Sequence, residues 1–382
     1  MPKPSIEQLS DQGTVRRECY PWNTFEPDRC SDESVAFLNA EMSKVAPKLE
    51  VKATELPALT GQGGTSRQLG VFAREDVAPG EIVLKETSLL TANIHLQDAL
   101  CDACSADLPE MTDPAFSEVV ACPECSVVFC NQTCADLADE EYHPAICDKG
   151  VEDVAKNVPP AEAANTLYTL LLLRALAMAE TQDCHPLDLK YLKFIWGDYH
   201  TMDLSKHWTS EDSNPFPRTL PFSFQANVVL PFNILEMMDV DVFRSSQYDV
   251  WVFNTLYAKF RGTASARLSG LSGRPVRGPE VSAVHPNWCL ANHSCDPNVT
   301  WNWASEVKFR VLEERVRWHV PVEGSEDKRS RPGLRNGEEV LSHYCDVELP
   351  VKERREWAAG SLGGACSCER CVAGEKACDN TL

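Results

Sequence analysis

Four short pairs, Cys101-x2-Cys104, Cys122-x2-Cys125, Cys130-x3-Cys134 and His143-x3-Cys147, set eight soft ligands into one brief stretch of chain. Zinc takes four sulfur or nitrogen ligands in a tetrahedron, and a C-x2-C knuckle delivers two thiolates to one ion. Eight ligands match two ions. A stretch this short buries little core of its own, so bound metal would supply much of its folding free energy. A second group, Cys366, Cys368 and Cys371 in GACSCERC, is one ligand short of a tetrahedral site, and the candidates for the fourth are Cys378 and Cys295. Cys295 lies in CLANHSCDPNVTW, Cys289 to Trp301, beside Asn292, His293 and Asn298. Read locally, this stretch admits a metal ligand at Cys295, a catalytic base at His293, or a polar turn ahead of a strand.

These groups need elements to hold them. The chain has 382 residues, 43% of them hydrophobic, enough for one large core or two to three smaller ones. Charged residues make up 24%, near the average for folded proteins. The formal net charge of -21 repels nucleic acid and attracts a basic partner such as a lysine-rich tail. Met1 to Tyr20 lacks the apolar segment of a signal peptide. The most apolar run, Leu167 to Ala179, is too short to span a bilayer and is interrupted by Arg174. An intracellular protein is expected, in nucleus or cytoplasm, with no membrane and no direct nucleic-acid partner. In that setting the 17 cysteines read as thiols or zinc ligands rather than disulfides.

Met1 to about Glu50 is polar, with a helical pattern over Ser34 to Val45. Leu56 to Gly70 reads as a glycine-rich loop. Gly70 to Glu86 carries two β-leaning runs around the turn signal Ala78-Pro79-Gly80, as an ordinary hairpin would. Ala161 to Glu180 is the strongest helical pattern, and Tyr248 to Phe260 is another. Gly262 to Pro279 reads as a mobile loop. Val299 to Trp303 and Val307 to Trp318 alternate apolar and polar residues, as half-buried strands do, and Gly337 to Asp346 reads as turn plus strand.

Two resemblances follow from these motifs. Cys101 to Cys147 resembles the MYND zinc finger. The resemblance implies interleaved pairs, with Cys101, Cys104, Cys130 and Cys134 on one zinc and Cys122, Cys125, His143 and Cys147 on the other. It also implies a peptide partner, since MYND fingers commonly bind peptides. NHSCDPN, followed by GEEVLSHYCD and then C-x-C-x2-C, resembles the SET domain of protein lysine methyltransferases. That resemblance implies a third zinc on Cys295, Cys366, Cys368 and Cys371, which ties the tail to the strand region. It implies S-adenosylmethionine as cofactor, held by backbone around Gly70, Val71 and Phe72, by the Asn292 amide, by His293 through its backbone, and beside Tyr344. Tyr344 would be the catalytic residue at the methyl-transfer pore.

The implied fold is the mainly β SET fold, small twisted sheets with a threaded pseudoknot in which NHSCDPN passes through a loop closed by the Tyr344 segment. A helical insert, the finger and a post-SET zinc site make it α+β overall. The order of motifs resembles the SMYD group, in its short fungal form. The implied organisation is an N-terminal extension 1–55, the first part of SET 56–100, the finger 101–147, a helical insert 148–280, core SET 281–350 and a post-SET tail 351–382. The implied substrate is a lysine of a histone or another basic protein, and a monomer is expected.

The chemistry sets its own demand. A free lysine titrates at roughly 10.4, so about one amine in a thousand is unprotonated at neutral pH. A narrow apolar channel and an adjacent sulfonium both disfavour the ammonium. Two departures from the family pattern stand out. Gln68 replaces the first glycine of G-x-G, and Leu362, Gly363 and Gly364 stand where the family carries a channel-wall aromatic. They keep open an alternative, a catalytically weak or inactive SET protein acting as a finger-mediated adaptor. Cys184, Cys289 and Cys345 read as core thiols, Cys345 near the site. Cys19 and Cys30 receive no assignment.

Overall fold

The computed structural model describes residues 28–57, 65–94, 100–125, 127–151, 163–195, 228–243, 247–268, 279–318, 328–362 and 366–379. Helix α1 (Asp32–Val45) starts at Ser31, whose side chain accepts from the Ser34 N–H, and Asp32 and Glu33 sit at its positive end. Its Leu38 and Met42 are buried in one core with Leu49 and Val51 of strand β1 (Leu49–Pro57). β1 pairs antiparallel with β2 (Thr65–Ala73), from Leu49 opposite Ala73 to Pro57 opposite Thr65. The expected boundary at residues 55 and 56 therefore falls inside a strand. The N-terminal helix is part of the same core rather than an appendage to it.

The turn at Ala78-Pro79-Gly80 forms, with Gly80 at φ +82°, a value that favours glycine. The hairpin does not. β3 (Ile82–Thr87) pairs instead with a strand more than 200 residues later, as described below. The reason lies in the intervening chain. Val77 exchanges backbone hydrogen bonds with Leu334, and Ala73 with Gly337 and Glu338, so a later segment occupies the space beside β2. β4 (Leu90–Asn93) follows.

The cysteine-rich stretch contributes β5 (Val120–Ala121), β6 (Val128–Phe129), α2 (Gln132–Glu141) and α3 (His143–Ile146). Asn131 caps α2 by accepting from the Cys134 N–H. α4 (Ala163–Thr181) is apolar nearly all round, as a helix inside a core should be, with Leu167, Leu171, Leu172 and Leu176 fully buried. α5 (Leu230–Met237) and α6 (Val250–Thr263) pack on it, α6 capped by Asp249.

β7 (Ser265–Arg267) and β8 (Val281–Val284) join β4 in a three-stranded sheet of order β4-β8-β7. The helical insert expected over 148–280 thus contains a strand, β7, of the adjoining sheet. The remaining strands are β9 (Asn292–His293), β10 (Val299–Trp303), β11 (Glu306–Val311), β12 (Arg317–Trp318), β13 (Lys328–Arg329) and β14 (Leu341–Ser342). β11 is the partner of β3, giving the order β10-β11-β3, and β9 runs parallel to β14. Helices α7 (Val351–Leu362) and α8 (Glu369–Asp379) close the described chain. The architecture is α+β, with small sheets, a helical unit centred on α4 and separate cysteine clusters. Among the described residues no helix is long and apolar enough to cross a membrane.

Candidate functional site: a convergence of three distant segments

Residues 337–342 form a bar between β2 and the Asn292 to Asn298 turn. On one side Ala73 N donates to Glu338 O at 2.9 Å, Gly337 N to Ala73 O at 2.7 Å and Val340 N to Val71 O at 2.7 Å. On the other, Ser294 N donates to Ser342 O at 2.8 Å and Asn298 N to Leu341 O at 3.0 Å. The Asn298 side chain, 1% exposed, clamps the bar further, donating to Glu339 O at 2.7 Å and accepting from Leu341 N at 2.8 Å. Sequence reasoning gave Asn298 no role. Its place three residues after Cys295 is the one signal that could have raised it.

This bar brings Gly70, Asn292 and Tyr344 together. The Asn292 amide nitrogen donates to Leu69 O at 3.1 Å and to Glu339 Oε1 at 2.7 Å. Gly70 faces the same point. A Cβ built there would lie 2.7 Å from Glu339 Oε1, 3.1 Å from the Phe72 ring and 3.2 Å from Asn292 Nδ2. Gly70 is therefore the floor of a cradle already closed by Glu339, Phe72 and Asn292, which any side chain there would displace. Glu339 is a residue that the motif reading left without a role. Burial pushes its carboxyl up, and the bond from Asn292 acts against that. The Val71 side chain is buried in the core, and the Phe72 ring packs under Lys52 Nζ at 5.4 Å.

The Tyr344 hydroxyl donates to Ala291 O at 2.9 Å, and burial raises its pKa, so the phenol keeps its proton at neutral pH. Tyr344 N donates to His293 Nδ1 at 3.1 Å. Burial lowers the His293 imidazole to about 4. With Nδ1 accepting a backbone proton and Nε2 facing Cys295 Sγ at 3.4 Å, neither ring nitrogen is free to take a substrate proton. The catalytic-base reading of His293 fails on this geometry. Trp301 Nε1 donates to His343 O at 3.1 Å and stacks on its ring, which steadies the turn after β14 that carries Tyr344.

Gln68 sits opposite Thr54 within the regular β1–β2 ladder, so the departure from G-x-G is absorbed as an ordinary strand position. Leu362 packs against the tail cysteines. Gly363, Gly364 and Cys19 lie outside the described residues, as does the Cys378 side chain. Cys30 is buried, its Sγ 3.6 Å from Arg67 O.

Eleven cysteines and His143 fall into three sets of four: Cys101, Cys104, Cys130 and Cys134; Cys122, Cys125, His143 and Cys147; and Cys295, Cys366, Cys368 and Cys371. Within each set all ligand atoms lie within 4.8 Å of one another. A Zn–S bond of about 2.3 Å implies ligand separations of about 3.8 Å in a tetrahedron. The observed separations bracket that value. They are 3.8 Å for Cys104–Cys130, 3.7 Å for Cys122–Cys147, 4.0 Å for Cys295–Cys366 and 3.4 Å for Cys295–Cys371. They are far too long for a disulfide at about 2.05 Å. Thiolates this close repel one another unless a cation sits among them. The donor sets fit zinc. At the tail, Arg354 Nη2 lies 3.7 Å from Cys371 Sγ, and Arg370 donates to Cys295 O at 2.7 Å, placing positive charge beside a four-thiolate set.

His293, Cys295 and Cys345 also cluster. They do not make an independent site. Cys295 is shared, and the proton on His293 Nε2 blocks that nitrogen as a ligand. Cys345 is a buried fifth sulfur at the edge of the tail set, consistent with its reading as a core thiol near the site. Cys289 Sγ donates to Pro286 O at 3.4 Å, and burial raises its thiol to about 12.

The N-terminal cysteine sets are joined firmly to the core. Arg174 of α4 forms a two-pronged ion pair with Asp102, at 2.9 and 3.0 Å, and lies over the Tyr142 ring at 3.7 Å. Tyr142 OH donates to Asp102 at 2.7 Å. The charge that interrupts the apolar run of α4 is thus the anchor of the cysteine module.

No family model matches the chain. It is 27% identical over 96 residues to N-lysine methyltransferase SMYD2 of Homo sapiens, covering 25% of this chain and 18% of that protein. It is 30% identical over 95 residues to N-lysine methyltransferase SMYD2 of Gallus gallus, again 25% and 18%. It is 28% identical over 95 residues to the putative SET domain-containing protein L678 of Acanthamoeba polyphaga mimivirus, 25% of this chain and 30% of that protein. A solved structure, the SET domain of LSMT bound to lysine and AdoHcy, aligns with 89% of this chain and 58% of that chain at 14% identity. Its TM-score is 0.37, too distant a likeness to carry an argument. In sequence, then, the chain is similar across a quarter of its length to proteins named as N-lysine methyltransferases and as a SET domain protein, and spans under a third of their length.

Proposed function

We propose that this chain is a SET-type protein-lysine methyltransferase that acts inside the cell on a lysine of a histone or another basic protein. The observation that carries the reading is the convergence of Gly70, Asn292 and Tyr344 around the 337–342 bar. The local similarity to N-lysine methyltransferases supports it.

S-adenosylmethionine, when bound, supplies a methyl carbon activated by a sulfonium. The chain's part is placement and exclusion of water. Gly70 lets Glu339 and Asn292 come close against β2, and Leu69 O, the Asn292 amide oxygen and the Glu339 carboxylate offer acceptors to a ligand ammonium. Tyr344 keeps its proton and gives it to Ala291 O, so its remaining lone pair is free to accept from an incoming amine. A neutral amine is favoured there because burial penalises the ammonium. The net charge of -21 favours a basic substrate.

On this reading Cys101 to Cys147 is a MYND-type finger that holds two zinc ions and presents a peptide-binding surface. Cys295, Cys366, Cys368 and Cys371 hold a third zinc that ties the tail to the Asn292 turn. The short fungal type of the SMYD group remains the best comparison for the motif order. A second reading, a catalytically weak adaptor, is favoured by one observation: Leu362 packs on the tail cysteines rather than standing free as a channel wall.

Incubation with labelled S-adenosylmethionine and a panel of histones and ribosomal proteins tests both. Label on lysine supports the enzyme. Cofactor binding without transfer supports the adaptor. Neither binding nor transfer removes both.

A further inference from the structure

The His293 ring stands between the tail cysteine set and Tyr344, and the chemistry proposed above gives it no part. Its Nδ1 lies 3.1 Å from Tyr344 N. A backbone N–H only donates, so Nδ1 must present a lone pair. The one proton of the neutral ring is then on Nε2, 3.4 Å from Cys295 Sγ. A metal-bound thiolate keeps lone pairs and is a good acceptor for it. The tautomer and the ring orientation are fixed from both sides, as outer-shell partners fix metal-site histidines.

The geometry closes on itself. Tyr344 is held at its amide by the His293 ring and at its hydroxyl by Ala291 O, 2.9 Å away. Ala291, Asn292 and His293 are consecutive, so one short segment grips both ends of the tyrosine. The rings of His293 and Tyr344 lie 5.1 Å apart. Through Nε2 the ring also reaches outside this grip, to Cys295 Sγ.

We infer that His293 is a positioning residue that couples the thiolate of Cys295, in the tail metal set, to the backbone of Tyr344. This rests on the proposed function for its catalytic consequence, though not for its physical content. Loss of the tail metal would release Nε2, let the ring turn, and loosen the tyrosine at its amide end while leaving its hydroxyl contact to Ala291.

Two near-isosteric variants separate the ends of the link. His293→Asn keeps an acceptor near the Nδ1 position and loses the donor to Cys295. His293→Gln reaches toward Cys295 with a donor and loses the Nδ1 acceptor. The first readout is release of zinc from the purified full-length protein to a chromophoric chelator. His293→Asn should release one zinc per chain about 10-fold faster than wild type, the size typical of outer-shell changes, and His293→Gln should not. The second is the NMR resonance of 13C-labelled tyrosine assigned to Tyr344 by its absence in Tyr344→Phe. Chelation of the tail zinc should shift it in the wild type and leave it unmoved in both variants. The third is turnover, where each variant should lower kcat about 10-fold or more with KM for cofactor unchanged. Wild-type zinc release in His293→Asn, or a Tyr344 resonance indifferent to zinc in the wild type, overturns the inference. If wild-type protein transfers no methyl group, the function proposed above fails while the first two readouts still decide the coupling.

Discussion

Gly70→Ala isolates the cradle. The added Cβ would lie 2.7 Å from Glu339 Oε1, closer than real Cβ contacts allow, and 3.2 Å from Asn292 Nδ2. Phe72 is also tight at 3.1 Å, so the strand cannot shift toward it for relief. The Glu339 carboxylate is the flexible neighbour and must swing away, breaking its 2.7 Å bond from Asn292. A hydrogen bond to a charged group contributes about 1.5–3 kcal/mol. Overpacking alone costs about 1–3 kcal/mol. Part of the first cost is recovered as Glu339 finds water, so a net loss of about 2–3 kcal/mol is expected. For a chain of 382 residues that is a thermal midpoint lower by about 3–4 °C. The same methyl group displaces Glu339 and crowds Asn292, the groups proposed to hold the cofactor, so cofactor affinity should fall about 100-fold, equivalent to about 2.7 kcal/mol. Differential scanning fluorimetry and calorimetric titration with S-adenosylmethionine measure the two effects. Glu339→Ala provides the control for cause. If Glu339 is the obstacle, its removal costs less in the Gly70→Ala background than in the wild type, the sign of coupled neighbours. A Gly70→Ala protein with wild-type midpoint and affinity, or strict additivity with Glu339→Ala, would refute the reasoning.

Three further outcomes follow from other parts of the molecule. Cys366→Ser should reduce bound zinc from three ions per chain to two by elemental analysis, whereas Cys184→Ser, which belongs to none of the three ligand sets, should leave three. Asp102→Asn removes one partner of a largely buried ion pair and leaves Arg174 uncompensated, so the unfolding free energy should fall by about 3–5 kcal/mol, with the cysteine module becoming sensitive to proteolysis before the core. His285 is buried with Ser88 and Ser265 as its partners at 2.9 and 3.1 Å, and burial lowers it from 6.5 to about 3. Above pH 6.5 both folded and unfolded states carry it neutral. Below that the unfolded chain takes up a proton that the folded state refuses, so stability falls with pH until about 3. Between pH 6.5 and about 4 the loss is about 3 kcal/mol, and His285→Asn should flatten that slope in urea titrations; an unchanged slope would assign the acid sensitivity elsewhere.

The sequence showed most clearly what is local. Ligand pairs three or four residues apart declare a metal set by their own spacing, and the alternation over Val299 to Val311 declares β10 and β11. Helix α4 is equally plain from its pattern. What stayed hidden depends on partners far along the chain. Arg174 looked like a break in an apolar run because Asp102, its counter-charge, lies 72 residues away. Glu86 reads as a routine strand acid, yet it accepts from Asn287 N, Asn287 Nδ2 and Trp288 N across some 200 residues. The β-leaning runs around Pro79 predicted strands correctly and their pairing wrongly, because strand propensity does not name a partner. Asn298 and Glu339 were invisible for the same reason. Their importance is that of a clamp and a cradle wall, and neither exists until the bar is in place.

The claim on which the rest depends is that Tyr344 stands at the point where the methyl group moves. Parallel measurement of cofactor binding and of label transfer to a methylated basic protein, in wild type and Tyr344→Phe, addresses it directly. Removing one hydroxyl from a half-buried ring loses the bond to Ala291 O and little packing. The prediction is a folded variant that binds S-adenosylmethionine within about threefold of wild type, under 1 kcal/mol, and transfers no measurable label. Transfer at the wild-type rate by Tyr344→Phe would contradict it.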